Sequence, residues 1–115
     1  MKFVKQNLDE IPVEEAHGGT GSRQMLVGPE HVESKYFEAV TKGFLPEGSM
    51  FDWHTHQDTD EVFIVTKGEG KFSCEEETVD YTSGDVITVG ANLKHKIEAL
   101  GNETTEGFFI RVKAK

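Results

Sequence analysis

The sequence predicts an all-β fold, a sandwich or barrel, for this chain of 115 residues. Three observations lead there. Short runs rich in β-branched and aromatic residues recur along the whole chain. Glycine, proline, asparagine and aspartate punctuate them at close intervals. No window of eleven or more residues carries a convincing helical apolar period. Many short strands with frequent turn signals are the pattern of a sandwich or barrel rather than of alternating strands and helices.

Taken in order, residues 1–15 read as a short strand or irregular lead-in, broken at Pro12. HGGTGS, residues 17–22, holds three glycines and reads as a loop. It resembles a phosphate-cradling loop only in glycine content, because the closing lysine and hydroxyl residue and a following helix are missing. RQMLV (23–27) is a strand candidate stopped by Gly28-Pro29, and residues 30–34 form a polar turn. Residues 36–45 make a longer strand that ends at Pro46-Glu47-Gly48; Tyr36, Val40 and Phe44 or Phe37, Ala39 and Thr41 could equally supply its inner face. Strand candidates follow at 51–56, 61–67, 70–74, 77–81, 85–89, 94–100 and 107–113. Phe63, Phe108 and Ile110 are expected to line the interior, and the run Glu75-Glu76-Glu77 to form a solvated hairpin tip.

The length corresponds to one domain able to bury about two-thirds of its unfolded surface, enough for a core without disulfides. Twelve basic against twenty-one acidic residues give a net charge of −9. Such a chain is not drawn to nucleic-acid backbones or anionic membrane surfaces, so neither is an expected partner. A small anionic ligand stays compatible, because a bound dication reverses the charge locally. Cys74 is the only cysteine, which rules out an internal disulfide and agrees with a reducing compartment. No apolar leader or membrane-length run is present, and the expected location is the cytoplasm.

The chemistry concentrates in residues 48–68, GSMFDWHTHQDTDEVFIVTKG. His54 and His56 are one residue apart and point the same way in a strand; a short turn over residues 57–60 returns Glu61 beside them. Two imidazoles and a carboxylate suit a borderline divalent metal. If Glu61 faces inward, so do Phe63 and Val65, and an unpaired carboxylate among them is costly unless a cation meets it. In LKHKIEAL, alternation puts Leu93, His95, Ile97 and Ala99 on one face and the lysines on the other, which turns His95 inward as a fourth candidate ligand.

The frame G-x5-H-x-H-x4-E-x6-G fits Gly48, His54, His56, Glu61 and Gly68, and it resembles the first signature of the cupin superfamily. The second signature is similar from Gly84 to His95, with departures: Gly90 stands where proline is usual, Asn92 where glycine is usual, and Ala99 where the pattern ends in asparagine. Gly90 and Asn92 both still favour a turn. The resemblance implies a small single-domain cupin, residues 1–115, with an N-terminal arm over 1–22 and a double-stranded β-helix (jelly-roll) barrel over 23–113. It also implies one divalent transition metal, manganese, iron, nickel, cobalt, copper or zinc, held by His54, His56, Glu61 and His95. Open coordination positions would admit water, dioxygen or a bidentate substrate.

Three functions compete. One is a small metalloenzyme of dioxygenase, isomerase or lyase type acting on a small oxygen-bearing substrate. Another is a non-catalytic binder or sensor of a metal or metabolite, and the last is a metal-free barrel. Polar groups other than the ligands at the open metal face distinguish the enzyme from the others. Met50 and Asp52 share the His54 face by simple alternation, which a β-bulge would reverse; Trp53 is expected on the outer face or at an interface. Tyr36 or Gln24 could offer a polar group to a ligand, His17 and His31 read as surface residues, and Cys74 as inert. The resemblance to cupins, which often pair, also implies a homodimer, with residues 1–15 as a swapped or edge-covering segment.

Overall fold

The computed structural model describes residues 3–16 and 20–115. The strands, in chain order, are β1 (Glu14–Ala16), β2 (Gly21–Val27), β3 (Phe37–Leu45), β4 (Met50–His54), β5 (Thr59–Lys67), β6 (Glu69–Cys74), β7 (Glu77–Thr82), β8 (Val86–Val89), β9 (His95–Ala99) and β10 (Thr105–Lys113). They form two antiparallel sheets, β1-β2-β3-β10-β5-β8 and β4-β9-β6-β7, which face each other as a double-stranded β-helix, the jelly-roll barrel. Single-turn 3-10 helices at Leu8–Glu10 and Pro29–His31 are the helical pieces among the described residues.

Side-chain alternation builds the core. On β5, Thr59, Glu61, Phe63 and Val65 are buried while their neighbours are half-buried or exposed. On β9, His95, Ile97 and Ala99 are buried, as alternation with the lysines requires. On β3 the inner face is Ala39, Thr41, Gly43 and Leu45, which settles the choice that the sequence leaves open. Phe63 and Phe109 stack with ring centroids 4.4 Å apart at 6°. Gly43 and Gly107, opposite each other on β3 and β10, make room for that stack. A Cβ at Gly43 would lie 2.6 Å from the Phe109 ring, and one at Gly107 2.5 Å from the Phe63 ring.

Two expectations are corrected. Phe108 and Ile110 do not line the interior: the buried positions of β10 are Thr105, Gly107 and Phe109, so Phe108 and Ile110 face out. Two consecutive phenylalanines make the parity of this strand ambiguous in sequence, and pairing of Phe109 with Phe63 resolves it. Gly21 and Ser22, read as loop, belong to β2 and pair with Ala16 and Glu15. The rest of that expected loop, with His17, lies outside the described residues.

Candidate metal centre

Four side chains meet at one end of the barrel. His54 closes β4, where the register against β9 shifts between Phe51 and His54: Phe51 pairs with Ile97 and His54 with His95. This bulge puts Phe51, not Met50 or Asp52, on the face of His54. The strand ends at His54, so His56 sits in the following loop and not in the strand. The three imidazoles still converge, with ring centroids 5.0 Å (His54–His56), 4.2 Å (His54–His95) and 5.3 Å (His56–His95) apart. One ring nitrogen from each lies within 4.8 Å of the others. Glu61 reaches in from β5, its Oε2 3.2 Å from His56 Nε2 and its Oε1 3.5 Å from His95 Nε2.

Backbone carbonyls orient two of the rings. Nδ1 of His54 donates to the Asp52 carbonyl at 2.6 Å, and Nδ1 of His95 to the Leu93 carbonyl at 2.9 Å. A carbonyl only accepts, so the proton sits on Nδ1 and each neutral ring carries its lone pair on Nε2. For His95 that nitrogen is fully buried and has no hydrogen-bond partner; the Glu61 oxygen is too far for a well-formed bond. An orphaned buried acceptor costs about 1–3 kcal/mol. A divalent cation at the focus of the three imidazoles and Glu61 would satisfy it, and the donor set is one such ions accept.

The loop carrying His56 is clamped from the β8–β9 turn. The His56 carbonyl accepts from the backbone N–H of Asn92 at 3.2 Å, and Asp58 N–H donates to Asn92 Oδ1 at 2.9 Å. Asn92 has φ 69 and Asp58 φ 53, so Asn92 takes the left-handed backbone for which glycine is usual and adds a side-chain bridge.

Burial opposes ionisation of Glu61, but the imidazoles of His56 and His95 close to its oxygens outweigh it and lower its carboxyl from 4.5 to about 2. Burial pushes His95 down, yet Glu61 and the Leu93 carbonyl prevail and raise it above its ordinary 6.5. Glu61 therefore stabilises the metal-free fold above pH 4.5, and this is lost as pH falls towards 2. The His95 contribution is complete below pH 6.5 and is lost as pH rises through its raised value. The cluster's contribution to the stability of chelator-treated protein is expected to be greatest between pH 4.5 and 6.5. Thermal melts against pH, for wild type and Glu61→Gln, check this; a difference between them that does not change with pH would contradict it.

A cavity of about 340 Å³ opens onto the cluster, lined among others by His54, His56, Glu61, Phe51, Thr41, Glu38, Arg23 and Arg111. Three of these polar groups are not evident in the sequence. Arg111 follows Phe109 by two residues on β10, and its Nη1 lies 3.9 Å from Glu61 Oε2. Once the strand's parity is known, its inward position follows; the reversed parity hid it. Glu38 sits where the β3–β10 register shifts, Arg111 opposing Ala39 and Val112 opposing Phe37, and this bulge aims it at the cavity. The Thr59 hydroxyl donates to its Oε2 at 3.0 Å. Arg23, on β2, bridges to Glu14 at 3.0 Å.

Other candidates lie elsewhere. Gln24 donates to the carbonyls of Leu8 and Ile11, holding the N-terminal segment to the sheet, and Tyr36 is exposed. Neither lines the cavity. His31 Nδ1 accepts from Gly28 N–H within its own turn. Trp53 is on the outer surface with the ammonium groups of Lys94 and Lys96 5.8 and 5.1 Å from its ring centre. Burial, then Glu75 and Glu77, pushes the Cys74 thiol up, away from the reactive thiolate. Glu75 is not merely solvated: its Oε1 accepts from Lys94 N–H, tying the hairpin tip to the start of β9.

The Cupin domain family matches residues 43–111, a span that contains all four converging side chains. An oxalate-binding protein of Thermotoga maritima is 31% identical over 93 residues, which cover 77% of this chain and 74% of that protein. Among solved structures, a predicted oxalate decarboxylase from Thermotoga maritima superposes with a TM-score of 0.88 at 23% identity, over 96% of this chain and 99% of that one. The polyketide cyclase RemF from Streptomyces resistomycificus superposes with a TM-score of 0.79 at 13% identity, over 99% of this chain and 81% of the cyclase. The structural likenesses speak for the fold, and the family match together with the relative from Thermotoga maritima places this chain in the cupin family.

Proposed function

We propose that this chain is a small metal-dependent cupin enzyme that acts on a small oxygen-bearing organic substrate, with His54, His56, Glu61 and His95 as ligands of one divalent transition metal. The buried Nε2 of His95, without a hydrogen-bond partner and facing the Glu61 carboxylate at 3.5 Å and two further imidazoles, carries the metal reading. The non-ligand groups Arg111 and Glu38 on the cavity wall support catalysis over passive storage, since both can hold or relay charge and protons beside a bound substrate. The metal would supply Lewis acidity or an oxygen-activating centre. The chain's own part is to orient the substrate between Arg111 and Glu38 and to keep the inner wall dry with Phe51, Ile97 and Phe109.

One observation favours a second reading, a binder without turnover: the Thermotoga maritima relative is described as an oxalate-binding protein. Oxalate is therefore the first ligand to try. Protein loaded with each of manganese, iron, cobalt, nickel, copper and zinc would be incubated with oxalate and related small acids, with and without oxygen. Product formation supports the enzyme, and stoichiometric retention of unchanged ligand supports the binder.

The same proposal takes residues 1–115 as a single cupin domain in the cytoplasm; no helix among the described residues is long and apolar enough to cross a membrane. It also includes a homodimer. The outer face of the six-stranded sheet carries a contiguous apolar band of Val40, Ile110 and Val62 beside Phe108, Ile64 and Val86, half-buried except for exposed Val86. Bands of this kind mark association surfaces. Ile110→Glu is expected to shift the solution mass from a dimer to a 12.8 kDa monomer with an unchanged circular dichroism spectrum. A wild type that is monomeric at micromolar concentration would contradict the dimer.

A further inference from the structure

We infer that Arg111 is the group through which this site selects carboxylates: one end of a small carboxylic acid pairs with its guanidinium while another oxygen of the ligand faces the metal. The inference rests on the metal-centre reading above and names the chemical class that the centre takes.

Arg111 is an unusual residue to find where it is. Its side chain is only 17% exposed, on the inner face of β10 two residues beyond the buried Phe109. Among the described residues its guanidinium makes no hydrogen bond; its one ion pair is the 3.9 Å approach to Glu61 Oε2. A guanidinium presents five donors in a fixed fork that matches a carboxylate, and here the fork opens onto the cavity with no acceptor from the described residues within hydrogen-bond distance, so a ligand in the cavity can meet it. Arg23, the other arginine of the cavity, is already engaged with Glu14 at 3.0 Å.

Glu61 in the metal-free chain serves His56, His95 and Arg111 at once. Committed to a dication, it neutralises Arg111 less, and the cavity beside it becomes a positive pocket in a chain of net charge −9. The Glu38 carboxylate, held by the Thr59 hydroxyl, supplies a counter-charge on the same wall. A small acid with one carboxylate at Arg111 and a second oxygen at the metal fits the cavity's charge and its volume of about 340 Å³.

The test uses the full chain loaded with manganese, with metal content measured before any titration. Calorimetric titration with oxalate, and with its neutral isostere oxamide, would compare wild type, Arg111→Gln and Arg111→Lys. Arg111→Gln is expected to take up the same manganese but to bind oxalate roughly ten- to a hundred-fold more weakly, the worth of hydrogen bonds to a charged group. Oxamide, whose carbonyls accept only neutral hydrogen bonds, should lose markedly less affinity than oxalate. Arg111→Lys, which keeps the charge but not the fork, should fall between. Equal oxalate affinity in wild type and Arg111→Gln, both carrying manganese, would overturn the role of Arg111 and leave the metal centre standing. A wild type that takes up no manganese, or any of the other ions, would defeat the metal reading and the Arg111 assignment with it. Should Arg111→Gln fail to fold, equal oxalate affinity in Arg111→Lys and wild type is the result that overturns the proposal.

Discussion

Replacing His95 with alanine is expected to lower metal affinity by more than about a hundred-fold, beyond the ten- to hundred-fold that loss of an outer-shell partner costs. His95 is 1% exposed, and its Nε2 has no alternative partner, so no neighbouring side chain can substitute for it. His56 is half-buried on a loop and nearer to solvent, so His56→Ala should cost less. In the wild type, added metal should raise the melting temperature, because an ion that binds only the folded chain stabilises it by mass action. In His95→Ala that rise should disappear. Metal analysis after dialysis, alongside melts with and without metal, reads both effects; an unchanged metal-induced rise in the variant would remove His95 from the site.

Phe63→Ala is expected to destabilise the fold by about 3–5 kcal/mol, the cost of emptying a buried phenylalanine site. Phe63 is 1% exposed, stacks on Phe109 and lies edge-on to Tyr81 at 6.0 Å. It also stands two residues from Glu61 on the same face of β5, so its loss loosens the floor of the cluster. Phe109→Ala should cost a similar amount, whereas Phe108→Ala, on the outer face, should cost markedly less. Urea unfolding would show the difference as a drop in midpoint with little change in slope. Equal costs at Phe108 and Phe109 would contradict the inward parity of β10.

The contrast between those two phenylalanines also shows what could be read before the fold was known. Where one face of a strand is lysine-rich, as in β9, alternation alone turned His95 inward. Where a glycine frame surrounds the candidate ligands, as from Gly48 to Gly68, their spacing agrees with the convergence of His54, His56 and Glu61. Periodicity fails at bulges and in uniformly apolar strands. The extra residue between Phe51 and His54 moves Phe51 to the inner face, and the one at Glu38 turns a carboxylate into the cavity. Neither bulge leaves a local mark in the sequence, since each is defined by the partner strand. In β10, apolar residues on both faces concealed the parity, and with it Arg111, the group that most distinguishes this cavity from an apolar one.

The most direct test of the central claim, that three histidines and Glu61 hold one ion, is the metal content of the wild-type chain. Protein purified without chelator would be reconstituted separately with manganese, iron, cobalt, nickel, copper and zinc, and freed of excess. At least one of these should remain at one ion per chain, with X-ray absorption showing a nitrogen- and oxygen-rich shell without sulfur. A chain that retains none of them would contradict the account.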